Sequence, residues 1–315
     1  MNIGPVREEG FGGHRALGRL VGLQSMATPR HVPFLERRFS AARDEQLRLC
    51  DEIAVDILRL AGDELDDFLR AYDFICTIQK KEEIHFRRHG VYRLSRLHQA
   101  VEEIYSNSDY MRSYMRGLLM TQVFWSNHTA AMAFFLEKFL AHNRQGYDLL
   151  EIGPGHGLLL SRSLADSRAA SVSGWDISAA SIAATEDALR KLGTTRDCKL
   201  QLRDIFAPGD KSETFDAVVF SEVLEHMEEP ARALDAIAKV MRPGARLYVN
   251  VPVNSPAPDH LFLLRSPEDA VAFVRSQGFE IEQAEYFPAT NYSLEAARKH
   301  SLSISTCIVA IKPGG

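Results

Sequence analysis

The sequence has few cysteines, no basic excess and no long apolar run, and each absence excludes a class of protein. Its four cysteines among 315 residues include no C-x-x-C pair, which argues against a zinc knuckle or a disulfide framework. A formal charge of -5 at pH 7 leaves no positive excess to attract a phosphate backbone, so nucleic acid is not expected as the main partner. We find no apolar segment of bilayer length and no secretion signal. We therefore expect a cytoplasmic globular protein with no membrane partner.

The pattern of the chain changes near Gly146. Before that residue, charged and apolar residues recur at helical spacing, whereas after it short apolar runs alternate with helical patterns of roughly 10 to 15 residues. This alternation is typical of a parallel sheet with helices on both faces. We predict an α/β fold with three parts: a flexible arm over residues 1–32, an all-helical cap over 33–145, and a doubly wound, mostly parallel seven-stranded sheet over 146–315. The last strand, near 303–312, follows no long helix and is expected to be antiparallel.

The stretch EIGPGHG, residues 151–157, lies between the first predicted strand of the sheet and the helix that follows. Free backbone N–H groups and the helix dipole meet a ligand at such a turn, and glycine allows the ligand to approach closely. A dinucleotide fingerprint would need a third glycine at position 158, where the chain has Leu158. Glu151 would repel a phosphate and attract an ammonium group. The pattern therefore indicates a cationic ligand.

Two further strand ends carry carboxylates. Asp176 ends the second predicted strand, where a carboxylate can accept hydrogen bonds from both hydroxyls of a ribose. Asp204 ends the third, where it can accept from an exocyclic amine while Ile205 offers apolar surface to a base. A nucleoside that carries an amino acid fits these strand ends together with the glycine turn.

These residues resemble the class I S-adenosylmethionine-dependent methyltransferases. The resemblance runs from about residue 147 to 312 and is carried by LLEIGPGHG, GWDIS, LRDIF, FDAVVFSEVLEHMEEP and LYVNVPV. It implies that the glycine turn contacts the methionine part of S-adenosylmethionine, that the acid after the second strand holds the ribose, and that the acid after the third meets the adenine. The implied cofactor-binding residues are Glu151, Gly153, Gly155, Gly157, Asp176, Ile177, Asp204, Ile205 and Ser221.

The segment SEVLEHMEEP offers a second constellation. Glu222, Glu225 and His226 stand at i, i+3 and i+4, so a helical turn beginning there would project all three to one side. His260 follows the fifth predicted strand, and two carboxylates with two imidazoles suit a divalent metal. The pattern resembles that of small-RNA 3′-end 2′-O-methyltransferases, which use a metal, and of some quinone O-methyltransferases. A metal there would lower the pKa of an acceptor hydroxyl.

Metal-free interpretations of the same segment stay open. The turn can simply pack after the fourth strand, with Glu222 beside the sulfonium and with His226 or His260 as the general base. Either histidine can also be purely structural.

The helical half is expected to supply a lid over the cofactor. Polar Asn127, at a break after an apolar helix, is a candidate catalytic residue. For the aromatic residues of this half, a helix-helix core or a homodimer seam is the alternative to a pocket wall. The candidate pocket residues are Tyr110, Tyr114, Trp125, His128 and, on the rim from the segment before the last strand, Tyr292.

We predict methyl transfer to a small-molecule acceptor, with oxygen favoured over nitrogen or carbon, as a tailoring step in the biosynthesis of a specialised metabolite. Three alternatives remain. The enzyme could cyclise the cofactor and release methylthioadenosine, it could be a metal-dependent RNA 2′-O-methyltransferase, or the domain could bind the cofactor without catalysis.

Overall fold

The computed structural model of the protein describes residues 11–207 and 214–314. In these residues seven strands form one sheet in the order β3-β2-β1-β4-β5-β7-β6. Strands β1 to β5 pair in parallel, and β7 is antiparallel to both β5 and β6. The predicted seven-stranded, mostly parallel sheet and its antiparallel last strand are confirmed. The strands are β1 Tyr147–Ile152, β2 Ala169–Asp176, β3 Lys199–Leu202, β4 Phe215–Ser221, β5 Met241–Val253, β6 Glu280–Pro288 and β7 Ile304–Ile311.

Helices cover both faces of the sheet because alternate strand residues point to opposite sides. Leu149 of β1 packs into one apolar core, whereas Leu150 packs into a second core on the other face. The first core contains α8, α9 and the N-terminal helices, and the second contains α10 to α12. The helices are α1 Arg15–Ala27, α2 Val32–Ser40, α3 Asp44–Ala61, α4 Leu65–His89, α5 Leu97–Ala100, α6 Ser108–Phe124, α7 Ser126–Phe134, α8 Leu158–Ala165, α9 Ala179–Leu192, α10 Pro230–Val240, α11 Pro267–Ser276 and α12 Leu294–Lys299.

The predicted arm over residues 1–32 is wrong for the part that the structure describes. Residues 15–27 form α1, in which Leu17, Leu20 and Val21 are fully buried in the first core. The Leu17 N–H also donates to the Asp51 carboxylate of α3 at 2.8 Å. The glycines lowered the predicted helix content of this segment. Its apolar residues at i, i+3 and i+4 nevertheless stabilise a helix, because a neighbouring helix covers the face that they form. Residues 1–10 lie outside the described residues.

The sheet order reverses between β1 and β4, so the carboxyl ends of these two strands border the crevice where doubly wound folds bind ligands. The turn after β1 is the glycine turn, and the turn after β4 is the Glu222–His226 segment. Helix α6 covers this edge, since a Cβ built on Gly155 would lie 3.7 Å from the Met115 methyl group. The helical region, residues 33–145, therefore contacts the glycine turn at this edge of the sheet. Within the described ranges, no helix is long and apolar enough to cross a membrane.

Candidate active site

The glycine turn has the backbone that its sequence predicts. Gly153, Gly155 and Gly157 have φ angles of 68°, 51° and 74°, in the left-handed region that favours glycine. At Gly153 there is also no room for a side chain, because an added Cβ would lie 2.9 Å from Val223 Cγ2. The turn is pinned to its neighbours, with the Gly153 N–H donating to the Trp175 carbonyl at 2.8 Å. Glycine is thus favoured at all three positions by the positive φ angles, and at Gly153 also by the packing of Val223.

We expect Gly153→Ala to destabilise the protein more than Gly146→Ala does. Both glycines have positive φ, but a Cβ at Gly146 meets nothing within 4 Å. The matched pair separates backbone strain, about 1–3 kcal/mol at each position, from the additional clash with Val223. The free energy of unfolding from urea titration measures both costs. Equal losses in the two variants would contradict the close packing of the turn.

Glu151 lies at the end of β1 with its carboxylate buried, and Oε2 has no hydrogen-bond partner among the described residues. Burial raises the pKa of Glu151 to about 8. An uncompensated buried carboxyl is costly unless a cation or donor reaches it. This orphaned oxygen beside the glycine turn fits the ammonium group of S-adenosylmethionine.

The carboxylates that the sequence assigns to the nucleoside lie at neighbouring strand ends, because β2 pairs with β3 so that Asp176 is opposite Leu202. The Asp176 oxygens accept hydrogen bonds from the Ser178 N–H and the Ser181 hydroxyl, at 2.8 and 2.6 Å. Asp204 is exposed and accepts from the Phe206 N–H at 2.8 Å. Both carboxylates are held in place by their own turns while keeping acceptor capacity.

The apolar neighbours of these acids differ in their surroundings. Ile177 is 69 % exposed at the end of β2, and Ile205 is partly buried against the second core. An exposed isoleucine beside a carboxylate leaves apolar surface available to a flat ring.

The end of β4 adopts an unexpected conformation. Glu222 has a φ of 55°, and the short 3-10 turn begins only at Leu224. We predicted that a helical turn projects Glu222 to the same side as Glu225 and His226, and this prediction is wrong for Glu222. Instead, the Glu222 N–H donates to the Asn250 carbonyl at 2.8 Å, and the Ser221 hydroxyl accepts from the Asn250 amide at 3.3 Å. Non-glycine residues with such strained backbone angles cluster at active sites.

Glu225, His226 and His260 come together as predicted. One ligand atom from each of them lies within 4.8 Å of the other two, and Glu222 is not in this group. Nε2 of His226 and Nε2 of His260 each lie 4.0 Å from Glu225 Oε1. Their rings are 4.9 Å apart and nearly perpendicular. The three ligand atoms thus surround a common point at the carboxyl ends of β4 and β5.

Both histidines direct a lone pair to that point. His260 Nδ1 is 2.7 Å from the Ser255 carbonyl, and His226 Nδ1 is 3.1 Å from the Asp259 carbonyl. Since a carbonyl only accepts, each Nδ1 carries the proton and each Nε2 the lone pair. Burial, with a further contribution from His226, lowers the pKa of His260 to about 4, which keeps its imidazole neutral.

Within the described ranges, the carboxyl group of this cluster, that of Glu225, has no hydrogen-bond donor beside it, and Glu222 is a neighbouring carboxyl group. Neither oxygen of Glu225 has a hydrogen-bond partner among the described residues, and Glu225 is fully buried. Burial and the neighbouring Glu222 raise the pKa of Glu225 well above its usual value, and burial raises that of Glu222 to about 7. Two imidazole lone pairs and a carboxyl group that a bound cation would keep ionised are the donor types of a mixed N/O metal site, so Glu225, His226 and His260 are the residues that would hold a metal.

The residues predicted to line a substrate pocket lie in different parts of the structure. Tyr114 lies in the active site, where its hydroxyl donates to Asp259 Oδ1 at 2.9 Å, and the Tyr110 ring packs 6.2 Å from it. Tyr292 is 54 % exposed, in the turn after β6. Asn127, the candidate catalytic amide, is buried and donates to Ser305 of β7 at 3.0 Å, a contact that holds α7 on the sheet.

His128 and Trp125 lie near the glycine turn. Their rings are 5.1 Å apart, and His128 Nδ1 is 2.8 Å from the Thr121 hydroxyl. Burial, with a contribution from the nearby His156 imidazole, lowers the pKa of His128 to about 4. His156, within the glycine turn itself, is a site residue that sequence reasoning missed, although its position in EIGPGHG was a signal.

Asp259 is the second residue that sequence reasoning missed. Its carboxylate accepts from the Tyr105 hydroxyl as well as from Tyr114, and it lies 3.5 Å from His226 Nδ1. Burial alone would raise the pKa of Asp259, but His226, His260 and the Tyr114 hydroxyl hold it below its usual value. The only signal in the sequence was its place next to His260.

A family model described as a methyltransferase domain matches residues 124–302, more than half of the chain. The chain belongs to this methyltransferase family. The match begins in the last residue of α6 and covers the glycine turn, Asp176, Asp204 and the histidine cluster. The resemblance to class I S-adenosylmethionine-dependent methyltransferases is therefore confirmed.

Curated relatives of this chain match it over part of its length. It is 34 % identical over 108 residues to a ubiquinone biosynthesis O-methyltransferase of Aeromonas salmonicida (strain A449), covering 33 % of this chain and 43 % of that protein. It is 32 % identical over 123 residues to the enzyme of the same name from Hahella chejuensis (strain KCTC 2396), covering 39 % and 50 %. The chain thus matches half or less of the length of these relatives.

Solved structures with a similar fold include the N-methyltransferase NodS from Bradyrhizobium japonicum WM9 in complex with S-adenosyl-L-homocysteine, at 15 % identity and a TM-score of 0.48, covering 69 % of this chain and 98 % of that one. The [4+2]-cyclase SpnF is another, at 23 % identity and a TM-score of 0.47, covering 58 % and 82 %.

Proposed function

We propose that the protein transfers the methyl group of S-adenosylmethionine to a hydroxyl of a small molecule, with a divalent cation bound by Glu225, His226 and His260. The observation that carries this proposal is the cluster itself, in which two Nε2 lone pairs face a buried carboxylate without donors. The names of the curated relatives, which are O-methyltransferases, favour oxygen as the acceptor atom.

The cofactor supplies a methyl group on a sulfonium, which is an electrophile that needs no further activation. The work of the protein is then to bind it, to hold the acceptor in line with it and to exclude water. In the proposed site Glu151 binds the ammonium group, Asp176 the ribose and Asp204 the adenine amine. Ser221, at the end of β4, is a further proposed contact of the cofactor.

The acceptor side must remove a proton from the hydroxyl. A divalent cation at the cluster would lower the pKa of a bound hydroxyl toward neutrality. Without a cation, His226 is the better placed base, because its side chain is 25 % exposed whereas that of His260 is 7 % exposed. An acidic hydroxyl such as that of a phenol or catechol would suit either route.

The roles of the remaining parts are predictions. We propose that the helical region, residues 33–145, is the lid over the acceptor and that Tyr110, Trp125 and His128 contact it. A homodimer through these helices, a cytoplasmic location and a role in specialised metabolism stay predictions.

A product assay tests this proposal. The full-length protein is incubated with S-adenosylmethionine and a panel of phenols, catechols, alcohols and amines, with and without EDTA, and the nucleoside products are identified by mass spectrometry. We expect S-adenosylhomocysteine only when a phenol or catechol is present, loss of that signal with EDTA, and its recovery when Mg²⁺ or Mn²⁺ is added in excess.

Other results would redirect the assignment. Methylthioadenosine without any acceptor would replace methyl transfer by cyclisation of the cofactor. Transfer that resists EDTA would remove the metal and leave His226 as the base. Transfer to amines alone would contradict the O-methyltransferase proposal.

A further inference from the structure

The helical region reaches the histidine cluster through a buried carboxylate. Asp259 has 4 % of its side chain exposed, although it lies in the loop after β5. One oxygen accepts from Tyr114 of α6 at 2.9 Å, and the other accepts from Tyr105 at 3.2 Å. A buried carboxylate needs such donors, because an unpaired charge away from water is costly.

The same carboxylate faces His226. Its Oδ2 is 3.5 Å from His226 Nδ1, and the Asp259 backbone carbonyl is 3.1 Å from that nitrogen. The Tyr105 oxygen is also 3.5 Å from it. Because Tyr105 donates its hydrogen to Asp259, everything around Nδ1 presents a lone pair. The Nδ1 of His226 is therefore the protonated nitrogen, and Nε2 faces Glu225.

The second histidine is supported in a similar way. The Tyr92 hydroxyl, also from the helical region, accepts from the Ser255 N–H at 3.0 Å, and Ser255 in turn accepts from His260 Nδ1. The Tyr92 ring packs edge-on against His260, with centroids 5.8 Å apart. Tyr92, Tyr105 and Tyr114 all precede residue 124, where the match to the family model begins.

We propose that Asp259 is a positioning residue, held by the Tyr105 and Tyr114 hydroxyls, whose backbone carbonyl and carboxylate together fix His226 in the Nδ1–H tautomer and so aim its Nε2 at the cation and acceptor. The helical region then completes the active site in addition to covering it. A carboxylate on the far nitrogen of a ligand histidine fixes its orientation and increases its basicity. The inference rests on the proposed function because it assigns His226 Nε2 to the reacting side of the site.

The test uses full-length, metal-free protein with Asp259→Asn, Tyr105→Phe and Tyr114→Phe. Tyr147→Phe is the matched control, because the Tyr147 hydroxyl also donates to a carboxylate, Asp166, at 2.8 Å, but from the opposite end of β1. Two quantities are measured: the affinity for Mn²⁺ alone, and the His226 tautomer from ¹⁵N NMR of histidine-labelled protein, with the signal assigned by difference from His226→Gln.

We expect Asp259→Asn to weaken Mn²⁺ binding by about 10- to 100-fold. The backbone carbonyl of residue 259 still accepts from Nδ1 in this variant, but the new side-chain amide can donate to Nδ1, so the Nε2–H tautomer of His226 should become populated. Each tyrosine variant should weaken Mn²⁺ binding by a smaller factor in the same direction. Tyr147→Phe should lower the melting temperature without changing either quantity. If Asp259→Asn unfolds, Tyr105→Phe decides, since Tyr105 is only partly buried.

The outcomes separate this inference from the proposed function. An unchanged tautomer in Asp259→Asn, or an unchanged Mn²⁺ affinity in Tyr105→Phe when that variant decides, would overturn the positioning role although the wild type binds Mn²⁺. Failure of the wild type to bind Mn²⁺ would remove the metal from the proposed function. The tautomer shift in metal-free protein would still support Asp259 as the residue that orients His226.

Discussion

Replacing Glu225 by glutamine should lower kcat by about a thousandfold, within the range that a proton-transfer or metal-ligand group contributes. Glu225 is the carboxylate at the centre of the cluster, 4.0 Å from both histidine Nε2 atoms. The amide keeps its shape but removes the negative charge that would hold a cation. The affinity for S-adenosylhomocysteine should change less than about threefold, because the charged cofactor contacts that we propose, Glu151, Asp176 and Asp204, lie at the ends of β1 to β3. Steady-state kinetics and calorimetry measure the two quantities.

Glu229→Gln is the matched control for this substitution. Glu229 lies four residues later, is exposed and pairs with Arg232 at 2.8 Å. Such surface pairs contribute little, so the control should keep the wild-type kcat. A Glu225→Gln enzyme that retains more than about a tenth of the wild-type kcat would show that the cluster does not perform the chemistry.

The second large effect is expected at Glu151. Its pKa of about 8 in the ligand-free protein means that the carboxyl is mostly protonated at pH 6, whereas an ammonium group binds the carboxylate. The affinity for S-adenosylhomocysteine should therefore rise nearly tenfold between pH 6 and pH 7, with release of a proton on binding. Glu151→Gln should remove this pH dependence and, at pH 8, weaken binding by about 30-fold, as for loss of a charge-assisted hydrogen bond.

The Glu151 carboxyl also makes the free energy of unfolding depend on pH. This stability falls as pH rises, whereas the affinity for S-adenosylhomocysteine increases. A carboxyl whose pKa is raised on folding stabilises the folded state fully only below its usual pKa, near 4.5, and that contribution is lost as pH rises toward 8. Glu151→Gln should therefore flatten the decline in ligand-free stability across this range, which amounts to about 1.4 kcal/mol for each pH unit.

Calorimetry in two buffers of different ionisation enthalpy measures the released proton, and urea titration measures the stability. The exposed Glu137→Gln serves as control. Cofactor affinity that does not vary with pH in the wild type would contradict the role given to Glu151.

The sheet and the turns at its carboxyl edge could be predicted from the sequence because local pattern determines them. The strand predicted directly before the glycine turn is β1, Tyr147–Ile152, and the three glycines all have positive φ angles. Asp176 and Asp204 follow from the rule that parallel strands end at one edge. These features depend on periodicity and on single residue types.

Features that depend on contacts between distant parts of the chain could not be predicted from the sequence. The helix α1 looked like an arm because its burial depends on α3, far along the chain. The spacing predicted a helical Glu222, but its N–H donates to the Asn250 carbonyl of β5 and its φ is positive. Asp259 was missed because its partners, Tyr105 and Tyr114, are more than 140 residues away. A sequence pattern cannot show which side chains meet across the crevice.

The most direct test of the proposed site is a crystal structure of the full-length protein grown with Mn²⁺ and S-adenosylhomocysteine, with data collected at the manganese absorption edge. The account predicts one anomalous peak bonded to Glu225, His226 Nε2 and His260 Nε2, with S-adenosylhomocysteine on the glycine turn and its ammonium group against Glu151. A structure with S-adenosylhomocysteine bound in that way but no anomalous peak at the cluster would contradict the metal-assisted mechanism. Binding of S-adenosylhomocysteine away from Glu151 would contradict the proposed cofactor site.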